Sequence, residues 1–224
     1  MKNILIFGTG GHAKVIIDIV EQQQKYKIIG LIDERIGKYS SGKNNIHGYS
    51  ILGGMASLKD ITHSYKIYGG IIGQGDNAKR LVSRNIIINS VPNFNFVNCI
   101  HPNSTFGKEV KLGHGNVIMA GVIINSSSII TDHCILNTNS SIDHDCVMSE
   151  FSSIAPNVSL GGNVKIGNRT AVGIGTNIFH NIEVGNNCII GGGSIVVKNT
   201  KDNSVYYGSP SIFIREHKFG DKYL

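Results

Sequence analysis

The sequence predicts an α/β domain followed by a β-solenoid. We expect a Rossmann-like parallel βαβ domain over residues 1–98, a parallel β-helix over residues 99–212 and a C-terminal tail over residues 213–224. Two observations support this prediction. Apolar, strand-like segments alternate with helix-compatible segments in the first part, and from Ile100 onward an apolar residue recurs at every sixth position.

Composition and charge narrow the range of partners. The 224-residue chain is 41% hydrophobic and has a net charge of +6, but no basic stretch alternates with aromatic residues as nucleic-acid binding often requires. The charge therefore favours phosphorylated small molecules over nucleic acid. No apolar run reaches the roughly 20 residues of a membrane span, and the N-terminus lacks a secretory signal pattern. We expect a cytoplasmic protein without a membrane partner.

The four cysteines are Cys99, Cys134, Cys146 and Cys188, and no two of them form a Cys-x-x-Cys pair. In a cytoplasmic chain they are expected to be reduced thiols. The sequence therefore supports neither a disulfide framework nor a zinc knuckle.

The first part of the chain has the order of a parallel sheet with crossover helices. The strand-like segments "NILIF" and "YKIIGLIDE" alternate with the helix-compatible segments "HAKVIIDIVEQQ" and "DNAKRLVSR". The first strand-to-helix turn, "GTGGHA" at residues 8–13, matches G-x-G-x-x-A, and Asp33 and Glu34 follow about 20 residues later. Such glycines let a phosphate approach the helix N-terminus, and the acids can accept hydrogen bonds from a ribose.

Two interpretations of this glycine turn remain open. The glycines either bind a nucleotide or only fit a tight turn. Since a full dinucleotide fold needs two such halves and this region holds one, the sequence favours a single nucleotide over NAD.

The second part of the chain has a period of six. Small or β-branched residues such as Ser128, Cys134 and Cys146 often stand two positions before the repeating apolar residue. This periodicity is typical of a parallel β-helix, in which each unit buries its apolar residue by stacking on its neighbours. The repeating residues are Ile100, Phe106, Leu112, Ile118, Ile124, Ile130, Leu136, Ile142, Met148, Ile154, Leu160, Ile166, Val172, Ile178, Val184, Ile190 and Val196.

The stretch "SIDHDC" at residues 141–146 differs from the repetitive sequence around it. In the six-residue register, Asp143 and His144 occupy the corner after Ile142, and Cys146 turns back towards the core. Imidazole is the usual general base near neutral pH, and a carboxylate on its other nitrogen would fix its tautomer. Asp143 and Asp145 are both candidates for that carboxylate. The alternative interpretation is an exposed polar corner without chemistry.

Further motifs extend along the whole chain. They are "GTGGHAK" at 8–14, "LIDE" at 31–34, "GQGDNAKR" at 73–80, "IHPNS" at 100–104, "LNTNSSIDHDC" at 136–146, "GGNVKIG" at 161–167, "IIGGGSIVVKN" at 189–199 and "VYYGSPS" at 205–211. Together they resemble the bacterial sugar O- and N-acetyltransferases with a left-handed β-helix, a family that includes the N-acetyltransferase of the bacillosamine pathway and sialic acid O-acetyltransferases. In that fold three hexapeptides form one triangular coil, so residues 18 apart stack at roughly 4.8 Å.

The resemblance also implies roles for individual residues. His144 would be the general base, Asp145 the acid that raises its basicity, and Asn137 would lie near the amine that is acetylated. The nucleotide sugar would be held by Gly10, Gly11, His12, Asp33, Glu34 and Gly75. Acetyl-CoA would be held by Ser153, Gly162, Gly173, Ile174, Lys198, Lys201, Gly208 and Pro210. Ser153 departs from the pattern, since close relatives can carry a histidine at this position.

The activity implied by the resemblance is N-acetylation of a nucleotide-linked amino sugar, with UDP-4-amino-4,6-dideoxy-N-acetylglucosamine as the first candidate acceptor. Acetyl-CoA would be the co-substrate, and direct transfer in a ternary complex would need no metal. The family also implies a homotrimer with active sites between neighbouring subunits.

Other activities compete with this expectation. Within the family these are O-acetylation of a sialic acid and N-acetylation of a GDP-linked or 3-amino sugar. A ping-pong route through Cys146 is the chemical rival. A carbonic anhydrase-like metal site using His133, His144 and His180, or a binding scaffold without activity, would place the chain in a different functional class.

Overall fold

The computed structural model describes residues 1–33 and 45–221. The chain divides into two compact units between Pro102 and Asn103, four residues beyond the boundary expected from the sequence. Glu34, one of the residues expected to bind the nucleotide sugar, lies outside the described residues.

The first unit is a sheet flanked by helices. In the sheet order β3-β4-β2-β1-β5, all neighbouring strands are parallel except the short β3–β4 pair, which is antiparallel. The parallel βαβ prediction is confirmed, and the hairpin is an addition that the sequence did not reveal. The elements are β1 (Lys2–Phe7), α1 (Gly11–Gln23), β2 (Tyr26–Ile32), β3 (Asn45–Ile46), β4 (Tyr49–Gly53), a 3-10 turn (Met55–Ser57), α2 (Leu58–Ser64), β5 (Gly69–Ile72), α3 (Asn77–Ser90) and β6 (Cys99–Ile100).

Hydrophobic periodicity explains how this unit packs. Helix α1 buries Ala13, Ile16, Ile17 and Val20, whose spacing places them on one helical face. Residues 4–7 of strand β1 are all apolar and buried, as expected for a central parallel strand with both faces covered. The core on one side of the sheet comprises Leu5, Phe7, Ile32, Leu58, Ile61, Ile72, Ile87, Phe94 and Phe96.

The second unit is a left-handed parallel β-helix built from two-residue strands. Strands stack with a register of 18 residues, as in the pairing of Ile123 with Ser141, so three hexapeptides complete one coil. The strands are β7 (Thr105–Phe106), β8 (Lys111–Leu112), β9 (Val117–Ile118), β10 (Ile123–Ile124), β11 (Ile129–Ile130), β12 (Ile135–Leu136), β13 (Ser141–Ile142), β14 (Val147–Met148), β15 (Ser153–Ile154), β16 (Ser159–Leu160), β17 (Lys165–Ile166), β18 (Ala171–Val172), β19 (Asn177–Ile178), β20 (Glu183–Val184), β21 (Ile189–Ile190) and β22 (Ile195–Val196).

Three faces of the solenoid follow from this pairing. The first face contains β7, β10, β13, β16, β19 and β22, and the second contains β8, β11, β14, β17 and β20. The third contains β9, β12, β15, β18 and β21 and is extended by β23 (Ser204–Gly208), with which β24 (Ser211–Glu216) pairs antiparallel. The tail expected from residue 213 therefore begins inside a strand.

The six-residue period identifies the inward side chains. Every repeating apolar residue from Ile118 to Val196 is buried, with at most 3% exposure. Three earlier members differ: Phe106 is 37% exposed, and Ile100 and Leu112 are only half-buried. Phe106 and Leu112 lie on β7 and β8, which pair with a strand of the solenoid on one side only. The first coil therefore lacks the stacking that buries the others.

Candidate active site

His144 lies at the corner between the first and second faces of the β-helix. Strand β13 ends at Ile142, and the chain turns through Asp145, whose φ is 60°. This left-handed conformation is rare for most residues but several-fold enriched for Asp and Asn. The turn lets two adjacent side chains meet: His144 Nδ1 lies 2.8 Å from Asp145 Oδ2. Both side chains are about 60% exposed, His144 at 61% and Asp145 at 60%, so a ligand can reach the corner.

The structure distinguishes the two acids that flank His144. The Asp143 carboxylate accepts hydrogen bonds from the backbone N–H of His144 at 2.8 Å and from Asn125 Nδ2 at 3.1 Å. Asp143 therefore fixes the backbone of the corner, whereas Asp145 contacts the imidazole. Asn125 was not anticipated, although its position one coil before Asp143 could have identified it.

The two flanking carboxylates tune the charge of the corner. The hydrogen bond to Asp145 and, second, the negative charge of Asp143 raise the pKa of His144 above 6.5. The backbone N–H of His144 and then the Asn125 side chain lower the pKa of Asp143, because they favour its ionised form. The ring is therefore more basic than an ordinary histidine. Because Nδ1 contacts Asp145, Nε2 is the ring nitrogen that can face a substrate.

Cys146 follows this corner but is turned inward. It is fully buried, and its Sγ lies 3.2 Å from the carbonyl oxygen of Gly161. Burial raises the pKa of the Cys146 thiol to about 11. A thiol in this state contains very little thiolate near neutral pH and is a poor nucleophile.

The residues expected to bind acetyl-CoA lie on two different corners and one face. Gly162 and Lys198 follow His144 by one and three coils on the same corner. Gly173 and Ile174 share the opposite corner of the first face with Asn137, the residue expected near the amine. Ser153, Gly208 and Pro210 belong to the third face or the hairpin that extends it, and Lys201 lies between β22 and β23. In one chain, the residues expected to bind the substrates therefore lie on both sides of the first face. Some are at its corner with the second face, and others are at its corner with the third face.

The three histidines of the metal-site alternative do not converge. His144 and His180 share one corner, with Gly162 on the coil between them, whereas His133 lies at the corner between the second and third faces. There His133 stacks on Phe151 at 4.8 Å between ring centroids. Across residues 1–33 and 45–221, no group of three His, Cys, Asp or Glu side chains has the arrangement of a metal site.

A separate cavity of about 360 Å³ lies in the first unit, at the carboxyl ends of β1, β2 and β5. Strand order reverses at β1, which is where open α/β sheets bind ligands. Gly10, Gly11, His12, Asp33 and Gly75 all line this cavity, so the structure brings together every described residue expected to bind the nucleotide. Gly8 adopts a φ of 119°, a backbone conformation that residues with a side chain disfavour, so the turn requires a glycine at this position.

The polar contacts of the cavity give it a defined electrostatic character. No side chain caps the N-terminus of α1 at Gly10, so the first backbone N–H groups of this helix are available for an anion. The Thr9 hydroxyl donates to the buried carboxylate of Asp33. Burial, and then the charge of Arg80, lowers the pKa of His12 to about 4, so its imidazole is neutral near pH 7.

Arg80 is a functional candidate that the sequence reasoning missed. Its side chain is 1% exposed, and its Nη1 donates to the carbonyl oxygens of Gln74 at 3.2 Å and Gly75 at 3.1 Å. Arg80 therefore holds one wall of the cavity from behind. Lys79 and Asp76 also line the cavity, and their place in the "GQGDNAKR" motif was the available signal.

None of the helices within the described ranges has the length and apolar character needed to cross a bilayer.

Comparisons with known proteins agree with this architecture. Residues 3–84 match the PglD N-terminal domain family. A UDP-N-acetylbacillosamine N-acetyltransferase of Bacillus subtilis is 29% identical over 122 residues, which is 54% of this chain. The match spans about half of that relative, 52% of its length.

Solved structures match over nearly the full chain. PerB from Caulobacter crescentus, in complex with CoA and GDP-perosamine, has a TM-score of 0.87 at 28% identity, covering 96% of this chain and 98% of its own. The acetyltransferase domain of PglB from Neisseria gonorrhoeae, in complex with acetyl coenzyme A, has a TM-score of 0.83 at 26% identity, covering 95% and 99%. The first unit thus matches the PglD N-terminal domain family over residues 3–84, and the chain as a whole is similar to sugar N-acetyltransferases of the hexapeptide-repeat family.

Proposed function

We propose that this protein transfers the acetyl group of acetyl-CoA to the amino group of a nucleotide-linked amino sugar. The observation that carries the proposal is the exposed imidazole of His144, whose Nδ1 is held by Asp145 while Nε2 remains for a substrate. The cavity at the N-terminus of α1 suits the diphosphate of a nucleotide sugar, because it combines free backbone N–H groups with an acid placed for a ribose.

The relatives limit the range of candidate acceptor sugars. The Bacillus subtilis relative is named for UDP-N-acetylbacillosamine, and PerB was solved with CoA and GDP-perosamine. We take UDP-4-amino-4,6-dideoxy-N-acetylglucosamine as the first candidate and a GDP-linked amino sugar as the second. The PerB complex is the specific observation that favours the second candidate.

The geometry of the corner supports direct transfer of the acetyl group to the amine. The amine lone pair attacks the thioester carbonyl while His144 Nε2 accepts the amine proton, and Asp145 stabilises the resulting imidazolium. The C–N bond forms, the C–S bond breaks, and the proton passes to the departing CoA thiolate. We assign the developing oxyanion to the backbone N–H of Gly162, because Gly162 lies one coil beyond His144 and next to its ring. The buried Cys146 takes no part.

The remaining expected roles belong to this proposal. Gly10, Gly11 and His12 would contact the phosphates and sugar, Asp33 the ribose, and Asn137 the acceptor amine. Because Asn137 and the pair Gly173–Ile174 lie on a different corner from His144, a second chain is the simplest way to complete one site. We therefore infer an oligomer with shared sites, and the family resemblance implies that this oligomer is a homotrimer.

The test is thiol release from acetyl-CoA with a panel of UDP- and GDP-linked 3- and 4-amino-dideoxy sugars and free sialic acids. We expect turnover with one nucleotide-linked amino sugar, loss of at least about 100-fold in His144→Ala, and retention in Cys146→Ala. Turnover confined to sialic acids, or full activity without His144, would overturn the proposal.

A further inference from the structure

The imidazole of His144 rests against Gly162 on the next coil. A Cβ built at Gly162 would lie 2.7 Å from both Cε1 and Nε2 of His144 and 3.4 Å from Cδ2. Real Cβ atoms essentially never approach heavy atoms to 2.7 Å. The outer edge of the ring therefore occupies the space that any other residue at position 162 would fill.

Backbone conformation does not explain the glycine. Gly162 is absent from the glycines with positive φ, so its backbone conformation is open to other residues. The equivalent positions on the same corner confirm that side chains are accommodated there. In successive coils they are Lys108, Ser126, His144, Gly162, His180 and Lys198.

The location of the glycine matches the need of the histidine. On the described chain His144 is 61% exposed, and its ring orientation depends on few contacts: Asp145 on Nδ1, and the coil surface at Gly162 beneath Cε1 and Nε2. A methyl group at position 162 would push the ring away from the coil. Because Nδ1 and Nε2 belong to one rigid ring, that movement would also displace Nδ1 and lengthen its 2.8 Å contact with Asp145.

We propose that Gly162 is a positioning residue, which sets the orientation of the His144 imidazole by having no side chain. This inference rests on the proposed function of His144 as the base. It assigns to Gly162 a steric role that differs from lining an acetyl-CoA groove. It also explains why the single gap in the column of corner side chains lies directly beyond the histidine.

The first test follows the His144 imidazole by NMR pH titration of the ligand-free protein. In Gly162→Ala we expect the pKa of His144 to fall towards 6.5, since the contact with Asp145 that raises it is weakened. Ser126→Ala, on the same corner one coil earlier, is the matched control and should leave the titration unchanged. An unaltered His144 titration in Gly162→Ala would overturn the inference.

Kinetics separate positioning from acetyl-CoA contact. Gly162→Ala keeps its backbone N–H, and we expect kcat to fall by at least about tenfold because the base is misplaced, with little change in KM for either substrate. A raised KM for acetyl-CoA at unchanged kcat would show that Gly162 only contacts the donor.

A double-mutant comparison covers the case in which Gly162→Ala is unstable. In thermal melts, Gly162→Ala should lower the Tm of the wild-type chain. It should not lower the Tm of the His144→Ala chain, in which the ring is absent. An equal loss in both backgrounds would mean that the coil itself needs the glycine, which contradicts the proposal. If His144→Ala retains full activity, the proposed function fails, whereas the titration and the melts still decide the contact.

Discussion

The Nδ1 atom of His144 lies 2.8 Å from Oδ2 of Asp145, the next residue in the chain. Neighbouring side chains rarely face each other in a strand, because they alternate between its two faces. Here the left-handed conformation of Asp145 at the solenoid corner brings them together. A turn of the repeat thus places the Asp145 carboxylate where it would support His144 as the proposed base.

The pH dependence of turnover should report this contact. His144 must be neutral to accept a proton, and its pKa lies above 6.5 in the folded protein. We therefore expect kcat/KM to rise with pH through a group whose pKa is higher than that of an ordinary histidine, and then to level off. A pH–rate profile measured with saturating acetyl-CoA checks this. If kcat/KM instead rose through a pKa at or below 6.5, Asp145 would not raise the pKa of His144.

Removing each flanking charge should separate the two acids. In Asp145→Asn, the pKa of His144 should fall, because the contact that chiefly raises it loses its charge. The rise of kcat/KM with pH should then occur at lower pH. The maximal kcat/KM should fall by about one to two orders of magnitude, since the imidazolium is no longer stabilised. Asp143→Asn is the matched control. It can still accept from the His144 N–H, so we expect a smaller change in both quantities. Equal effects of the two substitutions would argue against a specific Asp145 contact.

Cys146→Ala should keep its activity. The thiol is fully buried, its pKa is about 11, and it lies against the Gly161 carbonyl. We expect kcat close to wild type and a loss of about 1 kcal/mol in the free energy of unfolding, from the lost packing of one small side chain. Steady-state kinetics and chemical denaturation measure the two effects. An inactive, folded Cys146→Ala would instead revive the ping-pong route.

Sequence periodicity predicted the solenoid well because stacking leaves each coil only one way to bury its apolar residues. Its limit is visible at Phe106, which has the correct residue type but lies on the first coil, where burial is incomplete. The period of six shows which residues point inward, but not whether a coil has a neighbour on both sides.

The site was less accessible from the sequence. Asp143 and Asp145 are the same residue type and both adjoin His144, so the sequence does not distinguish them. Only the left-handed φ of Asp145 brings its carboxylate to the imidazole. The contact between His144 and Gly162 was available from the 18-residue stacking, since the two positions differ by one coil. Arg80 could not be found in this way, because its bonds to the Gln74–Gly75 loop depend on side-chain direction.

Gly10→Val should impair binding of the nucleotide sugar selectively. Nothing lies within 4 Å of a Cβ at this position, and Gly10 has an extended backbone with a φ of −79°, so the fold should tolerate the change. The added side chain would occupy the cavity at the N-terminus of α1, where we expect the diphosphate. KM for the nucleotide sugar should rise at least about tenfold, since backbone N–H contacts with the phosphates are blocked. KM for acetyl-CoA should stay near wild type.

Lys14→Ala, on the same helix but away from the cavity lining, is the control for this measurement. Both constants can be obtained from initial rates with one substrate varied at a time. An unchanged KM for the nucleotide sugar in Gly10→Val would place the acceptor outside this cavity.

Mixed assemblies can show whether one active site draws on two chains. His144 and Asn137 lie on different corners of the solenoid, so in the proposed trimer the His144 of one chain would act with the Asn137 of its neighbour. His144→Ala and Asn137→Ala chains should each be inactive or strongly impaired alone. When the two are co-expressed, random mixing gives about a quarter of the junctions an intact His144 and an intact Asn137, so activity should recover to about a quarter of wild type. Size-exclusion chromatography with light scattering would establish the trimer, and differently tagged chains would isolate the mixed species. Purified mixed trimers without recovered activity would mean that each chain builds its site alone.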